Sequence, residues 1–379
     1  MWRKRFQVLL LMAGWFAIGW LARGLIAPPV NSELALIAQA GDIISTQAYG
    51  RLPTPRQMTH AAIRGMLDSL DDKYAVFFDP TAATRDQLEL SGQDAVIGLR
   101  GEVRDGGFAV DDVLPGKPAE AAGLKAGDVI AEVDDWTIKS DSPYSEVTAM
   151  IRGPIGTAAH LVVQRGDQRL NLDVPRTPAQ DVMTRTLDGH LAYLRLDRFT
   201  ESSPRQVEVA LQQLLSTQPR ALIWDLRYNG GGLMDSTQRI LDLFLDDGLA
   251  FYARTRDGQL IPYRTSTGDL AEKIPMVVLI GPHTFSAPET AAASLADRSR
   301  AQLVGQKTYG KGSIVTTLKL ADGSAMRLTV ARWLSPISQT SYEGQGVSPN
   351  ILVDENQSQS AAQDPVLRRA VEYLKQLQR

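Results

Sequence analysis

The spacing of apolar residues changes twice along the chain. From about residue 30 to 90 they recur with helical spacing, first over 32–48 and again over 58–70. Between residues 91 and 176, apolar and polar residues alternate in short runs separated by glycine-rich turns, which is typical of strands. Beyond residue 176, buried-strand runs such as 221–227 and 276–281 alternate with amphipathic helices. The pattern predicts a helical segment over 28–90, a small β-rich module over 91–176 and a layered α/β core over 177–379 that ends in a helix.

Residues 1–27 form a separate segment in this interpretation. Residues 1–5 are basic, and residues 7–22 carry no charge. With the long stem of Arg23 included, the run approaches the ~20 residues that a membrane helix needs. We therefore expect a membrane anchor, with the body of the protein outside the cytoplasm, in a bacterial periplasm or at the cell surface. A cleaved signal peptide is the main alternative, although Pro28 makes a poor cleavage site, and a buried helix is the third.

Composition removes several kinds of chemistry. The 379 residues include 0 Cys, which excludes a thiol nucleophile, disulfides and cysteine-ligated metals. The 4 histidines are far apart and show no zinc-ligand spacing, so we predict no metal site and no cofactor. A net charge of −3 gives no general preference for nucleic acid, and no nucleic-acid partner is expected.

Three loops at the ends of predicted elements carry the candidate chemistry: 228–232 (YNGGG), 281–289 (GPHTFSAPE) and 305–313 (GQKTYGKGS). The third loop comes within one residue of a phosphate-binding loop. However, Gly312 stands where Ser or Thr is needed, and a strand follows instead of a helix. Nucleotide binding is therefore not expected.

Ser286 lies between a buried strand and a helix. With Glu289 three residues later, it fits a helix-capping box, which is a purely structural interpretation. The same place suits a nucleophile, because backbone N–H groups at a helix N-terminus stabilise an oxyanion. Lys311 is the candidate base, provided that burial lowers the pKa of its amine. Its neighbours Gly310 and Gly312 lack side chains, so other backbone segments can approach closely there and exclude water from the amine. From the residues alone, both interpretations remain open.

The module over 91–176 resembles a PDZ domain, most clearly in the run LPGKPAEAAGLKAGDVIAEVDDWTI over 114–138. This resemblance implies binding of unstructured protein C-termini as an added strand, with the terminal carboxylate held by a glycine loop. The implied peptide-binding residues are Ile97, Gly98, Leu99, Arg100 and Gly101. A small β-domain used only for packing is the alternative.

Taken together, the segments resemble the carboxyl-terminal processing proteases, also called tail-specific proteases. The matching motifs appear in the family's order: DLRYNGGG (225–232), SAPE (286–289), TYGKGS (308–313) and GVSPNILV (346–353). The resemblance implies a ClpP/crotonase-like protease core. It also implies Ser286 as nucleophile, Lys311 as general base, and an oxyanion hole from the N–H groups of Ala287 and of Gly231 or Gly232.

The sequence departs from the family pattern after Lys311. The family usually has Gln four residues further on, helping to orient the amine, whereas this chain has Val315. Residues 311 and 315 of an extended strand share a face, so Val315 is expected to touch the lysine stem. Glu289 is a second possible orienting group. These departures keep open a catalytically weak or inactive protein that only binds C-termini. The need for an adaptor and the formation of a homo-oligomer are also left open.

Overall fold

The computed structural model describes residues 32–104, 106–114, 116–140, 142, 144–179, 181–266, 270–353 and 364–377. The predicted anchor over residues 1–27 lies outside these ranges. Within them, no helix is both long enough and apolar enough to cross a membrane. The chain divides into two compact units, one ending at Asp71 and the other beginning at Asp72.

Helices α1 (Ser32–Gln47) and α2 (Pro55–Asp68) make up the described elements of the first unit. Thr54 caps α2: its Oγ1 accepts a hydrogen bond from the Gln57 N–H, and the Gln57 side chain accepts one from the Thr54 N–H. Because this capping box and Pro55 fix the start, the helix begins earlier than the apolar pattern over 58–70 indicated.

The second unit begins with strand β1 (Val76–Phe78) and helix α3 (Pro80–Ser91). Asp79 caps α3 by accepting a hydrogen bond from the Ala82 N–H at 2.8 Å, and Gly92 ends the helix at a φ of 73°. The stretch predicted as one helical segment over 28–90 therefore contains a strand and spans the division between the two units.

Most of the next elements form a small β-rich module with its own apolar core. Its strands are β2 (Asp94–Val96), β3 (Leu99–Arg104), β4 (Gly107–Val113), β5 (Val129–Val133), β6 (Trp136–Thr137), β7 (Gly153–Pro154), β8 (Ala158–Arg165), β9 (Gln168–Pro175) and β10 (Thr177–Pro178). Its helices are α4 (Pro118–Ala121) and α5 (Tyr144–Ile151). The main sheet runs β3-β4-β5-β8-β9, all antiparallel, and the short β10-β2-β7 sheet joins the two ends of the module. In the described residues β3 pairs only with β4, so its other edge is open.

The remaining elements form the α/β core. Its strands are β11 (Val182–Leu187), β12 (Leu191–Leu196), β13 (Ala221–Asp225), β14 (Gly248–Thr255), β15 (Leu260–Thr265), β16 (Met276–Ile280), β17 (Gln302–Gly305), β18 (Ser313–Lys319), β19 (Ala325–Leu334) and β20 (Ile351–Leu352). Its helices are α6 (Ser203–Ser216), α7 (Met234–Asp242), α8 (Ala287–Asp297) and α9 (Pro365–Gln376).

Two sheets organise this core. The first has the order β11-β12-β13-β16-β17-β20, parallel from β12 onward, and the second joins β1, β19, β14 and β15, with β18 paired to β19. Alternate residues of β13 face opposite sides of the first sheet. Leu222 and Trp224 pack with α6, α7 and α8, whereas Ile223 packs with α9. Since both faces are covered, the parallel strands are apolar throughout, as the sequence pattern indicated.

The three predicted loops follow neighbouring strands. Loop 226–233 follows β13, loop 281–286 follows β16 and loop 306–312 follows β17. These strands are adjacent and parallel, so the three loops meet at one edge of the sheet.

Candidate active site

Ser286 stands at the sharp turn between the loop after β16 and helix α8. Its φ is 71° and its ψ is −114°, a backbone conformation that residues with a side chain rarely adopt. The residue is partly exposed, while Ala287 and the rest of the first helical turn are buried. The turn therefore places a partly exposed Ser286 at the positive end of a buried helix.

The glycine loop, residues 230–232, lies against this turn. A Cβ on Gly231 would lie 2.9 Å from the Phe285 carbonyl oxygen and 3.2 Å from Ser286 Cβ. Gly231 has a φ of 102°, so its lack of a side chain serves both the backbone conformation and the close approach.

Buried Asn229 holds the glycine loop in place. Its Oδ1 accepts a hydrogen bond from the Gly231 N–H at 2.9 Å, and its Nδ2 donates to the Leu196 carbonyl at 3.0 Å. On the other side, the Phe199 N–H donates to the Gly231 carbonyl, and the Leu233 N–H donates to the Phe199 carbonyl. The loop is thus fixed by hydrogen bonds on both flanks.

The lysine loop, residues 306–312, is covered by segment 342–347. A Cβ on Gly310 would lie 2.8 Å from the Gly346 nitrogen, and one on Gly312 would lie 2.7 Å from the Glu343 nitrogen. The Gly312 N–H donates to Glu343 Oε2 at 2.9 Å. Glycines flanking the lysine therefore permit the close packing that the sequence predicted, and the Lys311 side chain is buried.

The Glu289 carboxylate joins the serine turn to the lysine loop. Its Oε2 accepts hydrogen bonds from the backbone N–H groups of Ser286, at 2.7 Å, and of Lys311, at 2.9 Å. Its Oε1 accepts from the Gly310 N–H and from Thr308 Oγ1, both at 2.6 Å. The side chain is fully buried. Burial raises the pKa of the Glu289 carboxyl above its ordinary value, and hydrogen bonds led by the one from Thr308 limit that rise.

The Lys311 ammonium lies in an aromatic enclosure. Its Nζ is 4.4 Å from the centre of the Tyr74 ring and 4.7 Å from that of the Phe285 ring. Burial lowers the pKa of the Lys311 ammonium to about 8, and the positive charge of Arg327 contributes in the same direction. Within the described residues, Nζ makes no hydrogen bond to Ser286 Oγ. The structure thus places an easily deprotonated amine beside the serine turn. The amine contacts the Tyr74 and Phe285 rings and not the serine hydroxyl.

The three predicted oxyanion-hole residues differ in what their N–H groups do. The Gly231 N–H already donates to Asn229. In the part of the chain that the structure describes, the N–H groups of Ala287 and Gly232 donate to no partner, and Gly232 is exposed. The geometry therefore leaves Ala287 and Gly232 as the available donors.

The expected contact between Val315 and the lysine stem rested on strand alternation from residue 311. The strand begins only at Ser313, and its register with β19 shifts between Ile314 and Val315. Alternation therefore does not carry over from 311 to 315. Glu289, the other possible orienting group, contacts Lys311 through its backbone N–H.

The five predicted peptide-binding residues surround the start of β3. The Ile97 side chain lies in the module core, and its carbonyl accepts a hydrogen bond from the Ala119 N–H at 2.7 Å. Gly98 has a φ of 85°, and Gly101 lies within β3 where a Cβ would meet the Ala109 carbonyl at 2.0 Å. Leu99 and Arg100 are partly exposed. Any peptide contact of Ile97 must therefore come from its backbone.

Sequence reasoning missed several residues that build the site. Tyr74 lies just before strand β1, far in sequence from the three candidate loops, and Asn229 directly precedes the glycines. Thr308 gives Glu289 its one side-chain donor among the four that surround it, and the Trp333 Nε1–H donates to the Lys311 carbonyl at 2.9 Å. Asn229 and Thr308 lie inside the motifs DLRYNGGG and TYGKGS, so they had a local signal in the sequence.

Comparison with known proteins agrees with this architecture. The sequence profile of peptidase family S41 matches residues 190–353, and that of the PDZ domain matches residues 95–175. The carboxy-terminal-processing protease of Bartonella bacilliformis is 32% identical over 330 residues, covering 84% of this chain and 75% of that protein. The carboxy-terminal processing protease CtpA of Bacillus subtilis is 31% identical over 334 residues, covering 86% and 70%.

A solved structure shares the fold. The photosystem II D1 C-terminal processing protease superposes with a TM-score of 0.60 at 27% identity, covering 87% of this chain and 89% of that one. These matches confirm the predicted resemblance, the α/β protease core and the PDZ domain. The chain therefore belongs to peptidase family S41, related to the carboxy-terminal processing proteases, and is a serine peptidase that carries a PDZ domain.

Proposed function

We propose that this protein is an endopeptidase that cleaves proteins recognised by their C-terminal tails, with Ser286 as nucleophile and Lys311 as general base. The observation that carries the proposal is the shared carboxylate of Glu289. One of its oxygens accepts hydrogen bonds from the backbone N–H groups of both residues. The serine is partly exposed at a helix N-terminus. The lysine is buried and has a pKa of about 8, so about one amine in ten is neutral at pH 7.

The chemical steps follow from this arrangement. Lys311 Nζ leaves the aromatic rings, takes the proton of Ser286 Oγ as the oxygen attacks the scissile carbonyl, and later returns it to the leaving amine. The N–H groups of Ala287 and Gly232 stabilise the oxyanion. Water, deprotonated by the same amine, then hydrolyses the acyl-enzyme. No cofactor or metal takes part in this mechanism.

The PDZ domain supplies tail recognition in this proposal. The open edge of β3 accepts the tail as an added strand, and the loop at Gly98 holds its terminal carboxylate. Arg100 suits such a ligand, because its Nη2 is buried without a hydrogen-bond acceptor among the described residues. Its guanidinium also lies 3.5 Å from Asp112.

The same arginine also contacts the segment just before the glycine loop, and this contact suggests how a bound tail affects cleavage. The Arg100 guanidinium lies 4.3 Å over the ring of Tyr228, which directly precedes Asn229.

Arg198 provides a second link between the PDZ domain and the glycine loop. It binds Asp94 bidentately and Asp181 at 2.7 Å, and these carboxylates lie at the two ends of the PDZ domain. Arg198 precedes Phe199, which pairs with the glycine loop. A tail that draws Arg100 away from Tyr228 would release this loop for catalysis.

The cellular setting belongs to the proposal as well. A basic N-terminus followed by an uncharged run supports an anchored, extracytoplasmic enzyme. An adaptor or a homo-oligomer would be compatible with the proposal. The rival function is a PDZ-containing protein that binds C-termini without cleaving them.

Replacing the nucleophile provides the first test. Ser286→Ala in the full chain should lower kcat on a protein with an apolar, unstructured C-terminus by about 10⁴-fold or more, while tail binding persists. Ser313→Ala is the matched control, since this buried hydroxyl has no hydrogen-bond partner among the described residues. Chelators should have no effect. Undiminished cleavage by Ser286→Ala would refute the assignment, and a wild type that binds many tails but cleaves none would favour the rival.

The pH dependence tests the lysine. Because a folded-state pKa near 8 keeps most of the amine protonated at pH 7, kcat/KM should rise with pH and level off above about 8. Arg327→Gln removes a positive charge that disfavours the ammonium, so the rise should move to higher pH with little change in the plateau. A profile that falls between pH 7 and 9, or one that Arg327→Gln shifts to lower pH, would contradict Lys311 as the base.

Glu289→Gln tests the shared carboxylate. The amide oxygen cannot accept all four hydrogen bonds, and the NH2 group is itself a donor facing N–H donors. Each donor left without an acceptor should lower the free energy of unfolding by about 1–3 kcal/mol. We expect kcat to fall roughly 10–100-fold. Asp297→Asn is the control, since Asp297 also accepts two loop N–H groups on one oxygen, at the far end of α8. Thermal unfolding and kinetics should show that both variants lose stability but only Glu289→Gln loses kcat. Equal kcat values would contradict the positioning role.

Arg100→Gln tests tail recognition. Loss of the guanidinium should raise KM for a substrate with an unstructured C-terminal tail about 3–30-fold. A change of this size corresponds to the typical contribution of a charged hydrogen bond at a partly exposed site. Amidation of the substrate's C-terminus should then have little further effect. Arg104→Gln is the control, because Arg104 lies on the same strand and pairs with exposed Glu102 and Asp111. If both variants keep wild-type KM values, Arg100 does not contact the tail carboxylate.

A further inference from the structure

An ionic network around buried Arg227 connects the segment just before the glycine loop to the C-terminal helix. The Arg227 guanidinium lies between two carboxylates. Its Nη1 and Nη2 donate to Asp364 Oδ1 and Oδ2 at 2.8 and 2.7 Å, and its Nε and Nη2 donate to Asp225. On the far side, the Tyr193 hydroxyl donates to Asp225 Oδ2 at 2.7 Å. Burial of Asp225 is the largest single influence and opposes its ionisation. The charge and hydrogen bonds of Arg227, together with the hydrogen bond from Tyr193, outweigh burial and hold the pKa of that carboxyl below its ordinary value.

Asp364 is the N-cap residue of helix α9. It caps the helix by accepting a hydrogen bond from the Leu367 N–H at 2.9 Å. Three residues of α9, Val366, Ala370 and Leu374, are buried on the face of the sheet opposite α8. The helix that carries Asp364 is therefore firmly held against the strands whose ends bear the site.

Arg227 stands two residues before Asn229, which fixes the Gly231 N–H. The glycines themselves have no side chains with which to hold their position. The orientation of the loop therefore depends on the residues that anchor it. Arg227 is such an anchor, because its planar guanidinium binds a carboxylate on each of two sides. A buried ion pair is weak evidence for stability, because desolvation offsets most of its attraction. Fixing one conformation is the better explanation for such a costly group beside an active site.

We propose that the Asp364–Arg227 pair is a positioning device through which the C-terminal helix sets the glycine loop, and with it the Gly232 N–H, for oxyanion binding. This inference rests on the proposed function, since it assumes that the Gly232 N–H stabilises the oxyanion. Arg227 and Asp364 touch no substrate. They act through Asn229 and the loop.

Asp364→Asn in the full chain tests the inference. Asn is a good helix cap and similar in size to Asp, so α9 should still begin at the same residue. The variant loses the charged, bidentate hydrogen bonds to Arg227. Complete loss of an oxyanion donor costs about 10²–10³-fold in rate, so a displaced donor should lower kcat roughly 10–100-fold with KM unchanged. The affinity of a peptide aldehyde, whose adduct with a serine places an oxygen in the hole, should fall by a similar factor.

Two further variants separate positioning from stability. Asp364→Glu keeps the charge and should restore part of kcat. Asp128→Asn breaks a similar bidentate arginine pair, with Arg165 in the PDZ domain, and should leave kcat for a short peptide unchanged. In a double-mutant cycle, the kcat effects of Asp364→Asn and Asn229→Ala should be less than additive, since both act on one loop.

The outcomes are distinguishable. If Asp364→Asn lowers the unfolding temperature while kcat and aldehyde affinity stay at wild-type values, the pair is only structural and the inference is overturned. A change confined to KM, or strictly additive effects with Asn229→Ala, would overturn it as well. If Ser286→Ala remains active, the proposed function itself fails. Loss of activity in Ser286→Ala together with full activity in Asp364→Asn would refute this inference alone.

Discussion

The site depends on one buried carboxylate. Glu289 is removed from water, which would cost several kcal/mol if its charge were unpaired. Four donors surround it, three of them backbone N–H groups from two separate loops. Hydrogen bonds to a charged group contribute about 1.5–3 kcal/mol each, so the set offsets the desolvation only when both loops are in place. The carboxylate therefore favours a single arrangement of the serine turn and the lysine loop.

This use of Glu289 also explains the state of Lys311. Because backbone N–H groups and Thr308 occupy both carboxylate oxygens, the glutamate forms no ion pair with the ammonium. Lys311 instead lies over the Tyr74 and Phe285 rings, which stabilise the cation less than a carboxylate would. Desolvation then dominates and lowers the pKa to about 8. The helix-capping interpretation of Ser286 and Glu289 and the catalytic one are thus compatible, since the capping carboxylate also aligns the two loops.

The glycine loop is positioned from outside itself. Its residues leave room for the Phe285 carbonyl and for Ser286, and so cannot carry anchoring side chains. Asn229 and the backbone of Phe199 hold it directly by hydrogen bonds. In our proposal the Arg227 guanidinium, bound to Asp225 and Asp364, anchors the residues just before it. Arg198, the chain neighbour of Phe199, binds Asp94, and Arg100 lies over Tyr228, the chain neighbour of Asn229. A loop held in this way responds to changes in its supports, and this is the physical basis that we propose for a link between tail binding and cleavage.

The sequence by itself determined the elements and the place of the site. Apolar periodicity and turn residues are local signals, so they revealed strands such as 221–227 and 276–281 and the loops that follow them. It missed the division at Asp71 and the strand at Val76, because β1 exists only through pairing with β19. It also assumed alternation from 311 to 315, which the late start of β18 and its register shift interrupt. Only the tertiary structure decided which groups meet: Tyr74 with Lys311, Glu289 with both loops, and Asp364 with Arg227 across 137 positions. Such contacts leave no local pattern, because their energy arises only when distant segments have already folded together.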